Sequence, residues 1–349
     1  MLNLLSSYSI HRSAKSEIWR QKLVNKRLVL CATLLGLLLA PVLSATAATF
    51  PERPIKLVTP FPQGGLTGNV AFAIANKMSV LLGQPVVLEP KQGAAGSIAA
   101  SFVAKAPKDG YTLLFGTSSM LGIAKYMYKD LPYDPANDFS PIAILGNVTV
   151  GIFASQKSGI NSLNDVFTKA KANPGQINYG SIGVGSVSHL AAELFKSRTK
   201  LDIVHVPYAG AAPQMTDLIG GEIQLAFNGI ASGINYTKDG RMKLIAVAAK
   251  TRSKNYPSIP ALGEIISGYE APAWLGIVAP KGTPQPVLDR LEAAVQQALA
   301  DPEVKTLIDS QGVDPEPMNA KAFGEKMRRE MTLWGEAVTA SGAQPLVAK

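Results

Sequence analysis

The sequence predicts an α/β protein of two domains, each built on a mainly parallel sheet, with a ligand cleft between them. Three observations carry the prediction. From Ile55 to Ala248 short apolar strands alternate with amphipathic helices, as in sheets whose strands are joined by crossover helices. Two long apolar runs, 148–154 and 274–280, read as passages between domains, so that one domain takes both ends of the chain and the other its middle. The loops at strand ends in both halves are rich in Gly, Ser and Thr and poor in charge, and in such sheets ligands bind beyond the carboxyl ends of the strands. The expected boundaries are a leader over 1–48, a discontinuous first domain over 49–150 and 272–349, and a second domain over 151–271.

Ile55-Lys56-Leu57-Val58-Thr59 alternates and is rich in β-branched residues, and after it Val70, Ile74, Met78 and Leu81 recur at helical spacing. The stretch between them, Pro60-Phe61-Pro62-Gln63-Gly64-Gly65, is therefore a strand-to-helix loop. Amides at a helix start lack intrahelical partners and suit an anion, although two glycines equally serve a tight turn with no ligand. A strand over 85–89 leads through Gly93-Ala94-Ala95-Gly96-Ser97 to a helix with Ile98, Phe102 and Val103. Lys108-Asp109-Gly110 turns into a strand over 111–115, and Gly116-Thr117-Ser118-Ser119 precedes a helix over 120–128. Pro132 and Pro135 punctuate the way to the apolar runs 142–145 and 148–154. Ser162 caps a helix that ends near Ala172, before Pro174-Gly175.

A second series follows: a strand over 177–179, a loop over 180–188, a helix through Leu190, Leu194 and Phe195, and a strand over 202–206. Then come the loop from Pro207 to Pro213, a helix to Ile219, Gly220-Gly221, and strands over 223–227 and 244–248. Beyond 274–280 the chain turns helical, with Leu288, Leu291, Val295 and Leu299 on one face of the first helix and further helices over 302–310 and 320–340.

Arg12, Lys15, Arg20, Lys22, Lys26 and Arg27 precede an apolar run over 28–43 and the small residues Ala45-Thr46-Ala47, the order of a cleaved secretory signal; a retained anchor is the alternative. Its loss removes six of 34 Lys/Arg and one of 25 Asp/Glu, and the net charge falls from +9 to +4. The basicity thus belongs largely to the leader, and no basic run with interleaved aromatics suggests nucleic acid. The single cysteine, Cys31, leaves with the leader, so neither a disulfide nor a thiolate metal site is expected.

Catalytic signals are sparse. His189 and His205 are the histidines beyond the leader; there is no G-x-S-x-G elbow, no P-loop and no dinucleotide fingerprint. His189, after a serine cluster, reads as a helix-terminal polar residue and His205 as a packed, hydrogen-bonded one. Asp109, Asp130, Asp134 and Asp138 sit in turns, and no metal or cofactor is expected. A secreted hydrolase using Ser186 or Ser188 with His189 is the enzyme alternative. A binding site asks for donors in concave loops, which Gly64-Gly65, Thr117-Ser118-Ser119 and 181–188 supply, with Tyr208 as an aromatic wall.

Phe50-Pro51-Glu52-Arg53-Pro54-Ile55, Pro60-Phe61-Pro62-Gln63-Gly64-Gly65, Leu82-Gly83-Gln84-Pro85-Val86-Val87 and Pro107-Lys108-Asp109-Gly110-Tyr111-Thr112-Leu113 resemble the Bug-type solute-binding proteins of tripartite tricarboxylate transporters. Tyr133-Asp134-Pro135, Ser188-His189-Leu190, Val206-Pro207-Tyr208 with Gly210 and Pro213, Asp217-Leu218-Ile219-Gly220-Gly221 and Ala279-Pro280-Lys281-Gly282-Thr283-Pro284 continue the match in order, from about residue 50 to residue 340. The resemblance implies a two-domain, type II-like periplasmic binding protein, monomeric and not an enzyme. It would close on a small organic carboxylate and deliver it to membrane permease subunits; a receptor for a membrane signalling partner would need the same cleft. Carried over, the ligand contacts are Phe61, Gly64, Gly65, Ser118, Ser181, Ser186, His189, Tyr208 and Asn228. The chain departs from the family at Gly68, where an acid is usual, at Phe72, usually Arg, at Pro90, usually Asn, and at Asn228, often Asp. Without those two acids an amine-free carboxylate, aromatic ones included, is expected in preference to an amino acid.

Overall fold

The computed structural model describes residues 50–60, 65–316 and 318–343. The expected leader, together with Phe61 and Gly64, lies outside the described residues. The chain from Phe50 onward carries two sheets. Strand β1 (Ile55–Thr59), helix α1 (Leu66–Leu82), β2 (Val86–Pro90), α2 (Ser97–Ala104) and β3 (Thr112–Thr117) form a β-α-β-α-β run with β1 in the middle. A π-helical turn, Ser119–Ile123, and a short helix, Ala124–Met127, lead to β4 (Phe139–Val148). The second sheet has β5 (Val150–Ser155), α3 (Leu163–Ala172), β6 (Ile177–Ser181), α4 (Val187–Thr199), β7 (Ile203–Pro207), α5 (Ala211–Gly220), β8 (Leu225–Gly229) and β9 (Met242–Val247). The chain then returns to the first sheet as β10 (Trp274–Pro280), followed by α6 (Gln285–Ala300), α7 (Pro302–Ser310), β11 (Val313–Asp314) and α8 (Ala320–Ser341).

The first sheet runs β11-β4-β10-β3-β1-β2 and the second β7-β6-β8-β5-β9. Between these strands parallel pairing is confined to β2-β1-β3 and to β7-β6-β8, where crossover helices can return the chain in the same direction; the remaining strand pairs are antiparallel. The sheets are thus mixed: strands arriving from the other sheet enter without a crossover helix and meet their neighbours head to tail. Each sheet places its first parallel strand, β1 or β6, between the other two, so the loops that follow β1 and β6 leave from equivalent points where strand order reverses.

One passage lies where the 148–154 run suggests it. β4 ends at Val148, β5 begins at Val150, and the Thr149 hydroxyl between them donates to Asp314 Oδ2 at 2.7 Å. The second passage is corrected. Residues 274–280 do not cross; they form β10, wholly within the first sheet between β3 and β4, and all seven residues are buried. A central strand covered on both faces reads as a continuous apolar run, which in sequence resembles a crossing. The crossing lies in the segment before it, where Val148 N donates to Ala273 O at 2.8 Å.

The apolar stripe of α1 (Val70, Ile74, Met78) and that of α6 (Leu291, Val295) cover one face of the first sheet, against Ile55, Leu57, Phe115 and Ile277. The C-terminal helix α8 packs on β4 and Ser119–Ile123 and also on α4, so it touches elements of both sheets.

Candidate ligand-binding site

At the first sheet, β1 gives way to the loop before α1. Gly65 is exposed and stands at the N-cap with φ −111° and ψ 176°; no side chain caps the helix, and its first turn holds no acidic residue. A Cβ on Gly65 would meet nothing within 4 Å among the described residues. The loop before α2 adjoins this point: a Cβ on Gly96 would lie 3.0 Å from Pro60 Cβ. Gly93, Ala94, Ala95 and Gly96 all have positive φ, at 122°, 44°, 51° and 93°. For the two alanines this left-handed backbone costs about 1–2 kcal/mol each. The Gly-Ala-Ala-Gly sequence is the one signal of it in residue order. Ser118 is buried, and its hydroxyl accepts from Trp274 N at 2.7 Å, tying β3 to the start of β10.

At the second sheet the corresponding loop is built from side chains. Ser186 caps α4, its hydroxyl accepting from His189 N at 3.2 Å and donating to Gly183 O at 2.7 Å. Ile182 N donates to Ser188 Oγ, Gly183 N to Ser181 Oγ, and Gly185 N to His189 Nδ1, at 3.2, 3.2 and 3.3 Å. Gly183 and Gly185 take φ of 115° and 80°, which no other residue adopts without strain, and so let the loop fold back on these partners. Among the described residues nothing claims the amides of Val184, Val187 and Ser188. They are the donors left at the start of α4, aided by its dipole.

The proton on His189 can be placed. Because Nδ1 accepts from Gly185, the neutral ring carries hydrogen on Nε2, a further donor. Burial holds its pKa below the usual histidine range, against the pull of Glu193 upward and with the push of Lys196 downward. His189 is therefore a neutral donor, not a charge clamp. His205 on β7 stacks on it with centroids 4.2 Å apart and sets Nε2 2.7 Å from Ser181 Oγ. Burial, then the neighbouring His189, depress the His205 pKa to about 4.

Ser181, Ser186 and His189 thus fall in one network, with Ser188 and His205. Ser181 is fully buried, and its hydroxyl serves the loop. Tyr208 follows β7; its amide donates to Ser181 O at 3.0 Å and its hydroxyl to Asp217 at 2.8 Å, with burial and that carboxylate raising its pKa. Asn228 closes β8, donating to Gln214 Oε1 at 2.6 Å and accepting from Gly229 N at 2.7 Å, while Gln214 Nε2 donates to Phe227 O at 3.1 Å. Gln214 is fully buried on α5, and nothing in the residue order around Pro213 marks it. A neutral amide at 228 suits this pocket, since a buried carboxylate there would need a cation.

The two halves meet. A Cβ on Gly229, next to Asn228, would lie 3.7 Å from Leu66 Cδ1 at the start of α1, and one on Gly185 would lie 3.9 Å from Met127. Gly68 is buried within α1, Phe72 is exposed on it, and Pro90 pairs with Thr59 at the end of β2. The hydrolase alternative finds no support in the geometry. Ser186 bonds the backbone of His189 and not its ring, and Glu193 is engaged by Tyr179 and Lys196. No cluster of metal-ligating side chains occurs among the described residues. A groove of about 850 Å³, lined by Lys56, Ser97, Phe102, Lys105 and Tyr111 among others, includes none of the expected contacts.

Comparison with known proteins bears on this arrangement. The profile of the tripartite tricarboxylate transporter family receptor matches residues 70–342. Protein BugT of Bordetella pertussis is 32% identical over 306 residues, 86% of this chain and 92% of BugT. An R. palustris protein solved with adipate superposes with a TM-score of 0.78 at 31% identity, covering 85% of this chain and 100% of that one. MatC from Rhodopseudomonas palustris with bound malate gives 0.74 at 31%, covering 83% and 100%.

Proposed function

The chain belongs to the tripartite tricarboxylate transporter receptor family of periplasmic binding proteins, and from that premise we propose that it captures an amine-free organic carboxylate between its two lobes and hands it to a membrane permease. The lobes are taken as 49–150 with 272–349 and as 151–271, the leader over 1–48 is removed on export, and the protein works as a monomer. One observation carries the reading. The site offers an anion neutral donors, namely the amides of Val184, Val187 and Ser188 and the Nε2–H of His189, and no lysine or arginine occurs in 60–69, 181–189, 207–214 or 228–232. Oriented amides at a helix start stabilise one carboxylate without a counter-ion. No carboxylate in these stretches can receive an ammonium group, Gly68 and Asn228 standing where acids are usual in the family.

Ligand contact with both halves would favour the closed arrangement by its differential affinity for it. Adipate and malate, bound by the two solved relatives, are the first ligands to try. Calorimetry comparing zwitterionic amino acids with matched amine-free acids tests the reading. Binding confined to the amine-free acids is expected; binding only of the zwitterions refutes it.

A further inference from the structure

We propose that His205 is the positioning residue of the second-lobe loop: its ring holds the Ser181 hydroxyl, and through that hydroxyl sets the Gly183–Gly185 backbone that presents donors to the ligand. The ligand named here rests on the carboxylate reading above; the placement of the loop does not.

The register puts the ring where it is needed. β6 and β7 run parallel with Tyr179 opposite His205, and Ser181 follows two residues along the same face of β6. Tyr179 stacks on the imidazole at 5.0 Å and His189 at 4.2 Å, with interplanar angles of 21° and 29°. Two stacking partners fix the ring plane, and Nε2 is then aimed at Ser181 Oγ, 2.7 Å away. The hydroxyl has no surface of its own and accepts the Gly183 amide at 3.2 Å. Gly183 O in turn takes the Ser186 hydroxyl, which caps α4. A chain of hydrogen bonds therefore runs from β7 to the helix start without touching the cleft.

A ring that merely filled space would be better apolar. Placing imidazole here costs desolvation, which the Ser181 bond offsets. The charged and titratable groups around the pair are Glu193 and Lys196 of α4, with Tyr179 of β6. Glu193 is held by both Tyr179 and Lys196, so none of them replaces Ser181 as partner to Nε2.

The discriminating variants are His205→Phe, which keeps a stacking ring without a polar atom, and His205→Gln, which can put an amide near the Nε2 position. Single-residue amide exchange in the ligand-free protein is the first readout. His205→Phe and Ser181→Ala should each speed exchange at Gly183 roughly three- to tenfold, the effect of losing one hydrogen bond. The double variant should be no faster than the singles, and His205→Gln should stay within about twofold of the parent. Unchanged exchange in His205→Phe, or additive effects in the double variant, overturns the proposal. Should His205→Phe fail to fold, the ¹⁵N resonance of His205 Nε2 decides: it should shift in Ser181→Ala, and an unmoved resonance is the contrary result. Calorimetry with adipate, malate and benzoate gives the second readout, with affinity weakened about tenfold by His205→Phe and restored by His205→Gln. If the parent binds none of these acids, the carboxylate reading fails while the exchange data still judge His205.

Discussion

The helix starts that follow β1 and β6 occupy the same place in their sheets, yet among the described residues they are held differently. α1 begins on Gly65, with no acid in its first turn and, among the described residues, no capping side chain and no neighbour within 4 Å of an added Cβ. α4 begins on Ser186, behind a loop whose backbone is pinned by Ser181, Ser186, Ser188 and His189. Among the described residues no side chain caps the start of α1, whereas the backbone before α4 is arranged in advance by side chains. The second half therefore holds its donors in place before any ligand arrives, which lowers the ordering cost of binding there. Substitutions should act very unequally on the two.

The largest effect is expected at Gln214, which fastens β8 to α5 on the pinned side. Gln214→Ala leaves the Asn228 amide and the Phe227 carbonyl buried without this partner and opens a cavity, for a loss of about 3 kcal/mol in chemical denaturation. A loss under about 1 kcal/mol would show that the network relaxes freely. Ser186→Ala comes next, removing the cap of α4 and the tether of Gly183; about 1–2 kcal/mol should be lost.

Acid should act on the same side. His189 and His205 are held below their ordinary value near 6.5, so their neutral forms contribute stability in full above that pH. That contribution should fall away as the pH drops from about 6.5 towards about 4, because the unfolded chain takes up protons that the folded one refuses. Denaturation midpoints across this window should fall less steeply in a His189→Gln, His205→Gln variant; an equal slope would assign the loss to other groups.

On the first side the effects are smaller and one changes sign. Ala95→Gly, at φ 51°, relieves left-handed strain and should raise stability by about 0.5–1 kcal/mol, net of the added chain entropy. Gly65→Ala, at an ordinary φ and with no described residue within 4 Å of the added Cβ, should change stability by less than about 0.5 kcal/mol. A large loss there would mean that the two helix starts are more alike than their hydrogen bonds indicate.

Much of this was legible in residue order. The helical spacing of Val70, Ile74 and Met78 marks the buried face of α1, the glycine and serine loops lie at strand ends, and Ser186 and His189 meet at the start of one helix. The reach of β10 was misread because burial on both faces erases the alternation that distinguishes a strand within a sheet from a passage between sheets. His205 read correctly as a packed, hydrogen-bonded residue, but its partner was out of view. Ser181 lies 24 residues earlier and becomes its neighbour only through the parallel register of β6 and β7.

By itself the sequence determined which segments become strands and helices, which loops are rich in donors and poor in charge, and the order of family motifs from about residue 50 to residue 340. Those properties are local, set by side-chain periodicity, turn chemistry and composition. Tertiary structure alone decided that parallel pairing between the strands stops at three in each sheet, that β10 stays within the first sheet, that Gln214 bonds Asn228 and that His205 bonds Ser181. Those facts depend on register and on contacts between residues far apart in the chain, where a shift of one residue would turn His205 to the opposite face and leave Ser181 without it.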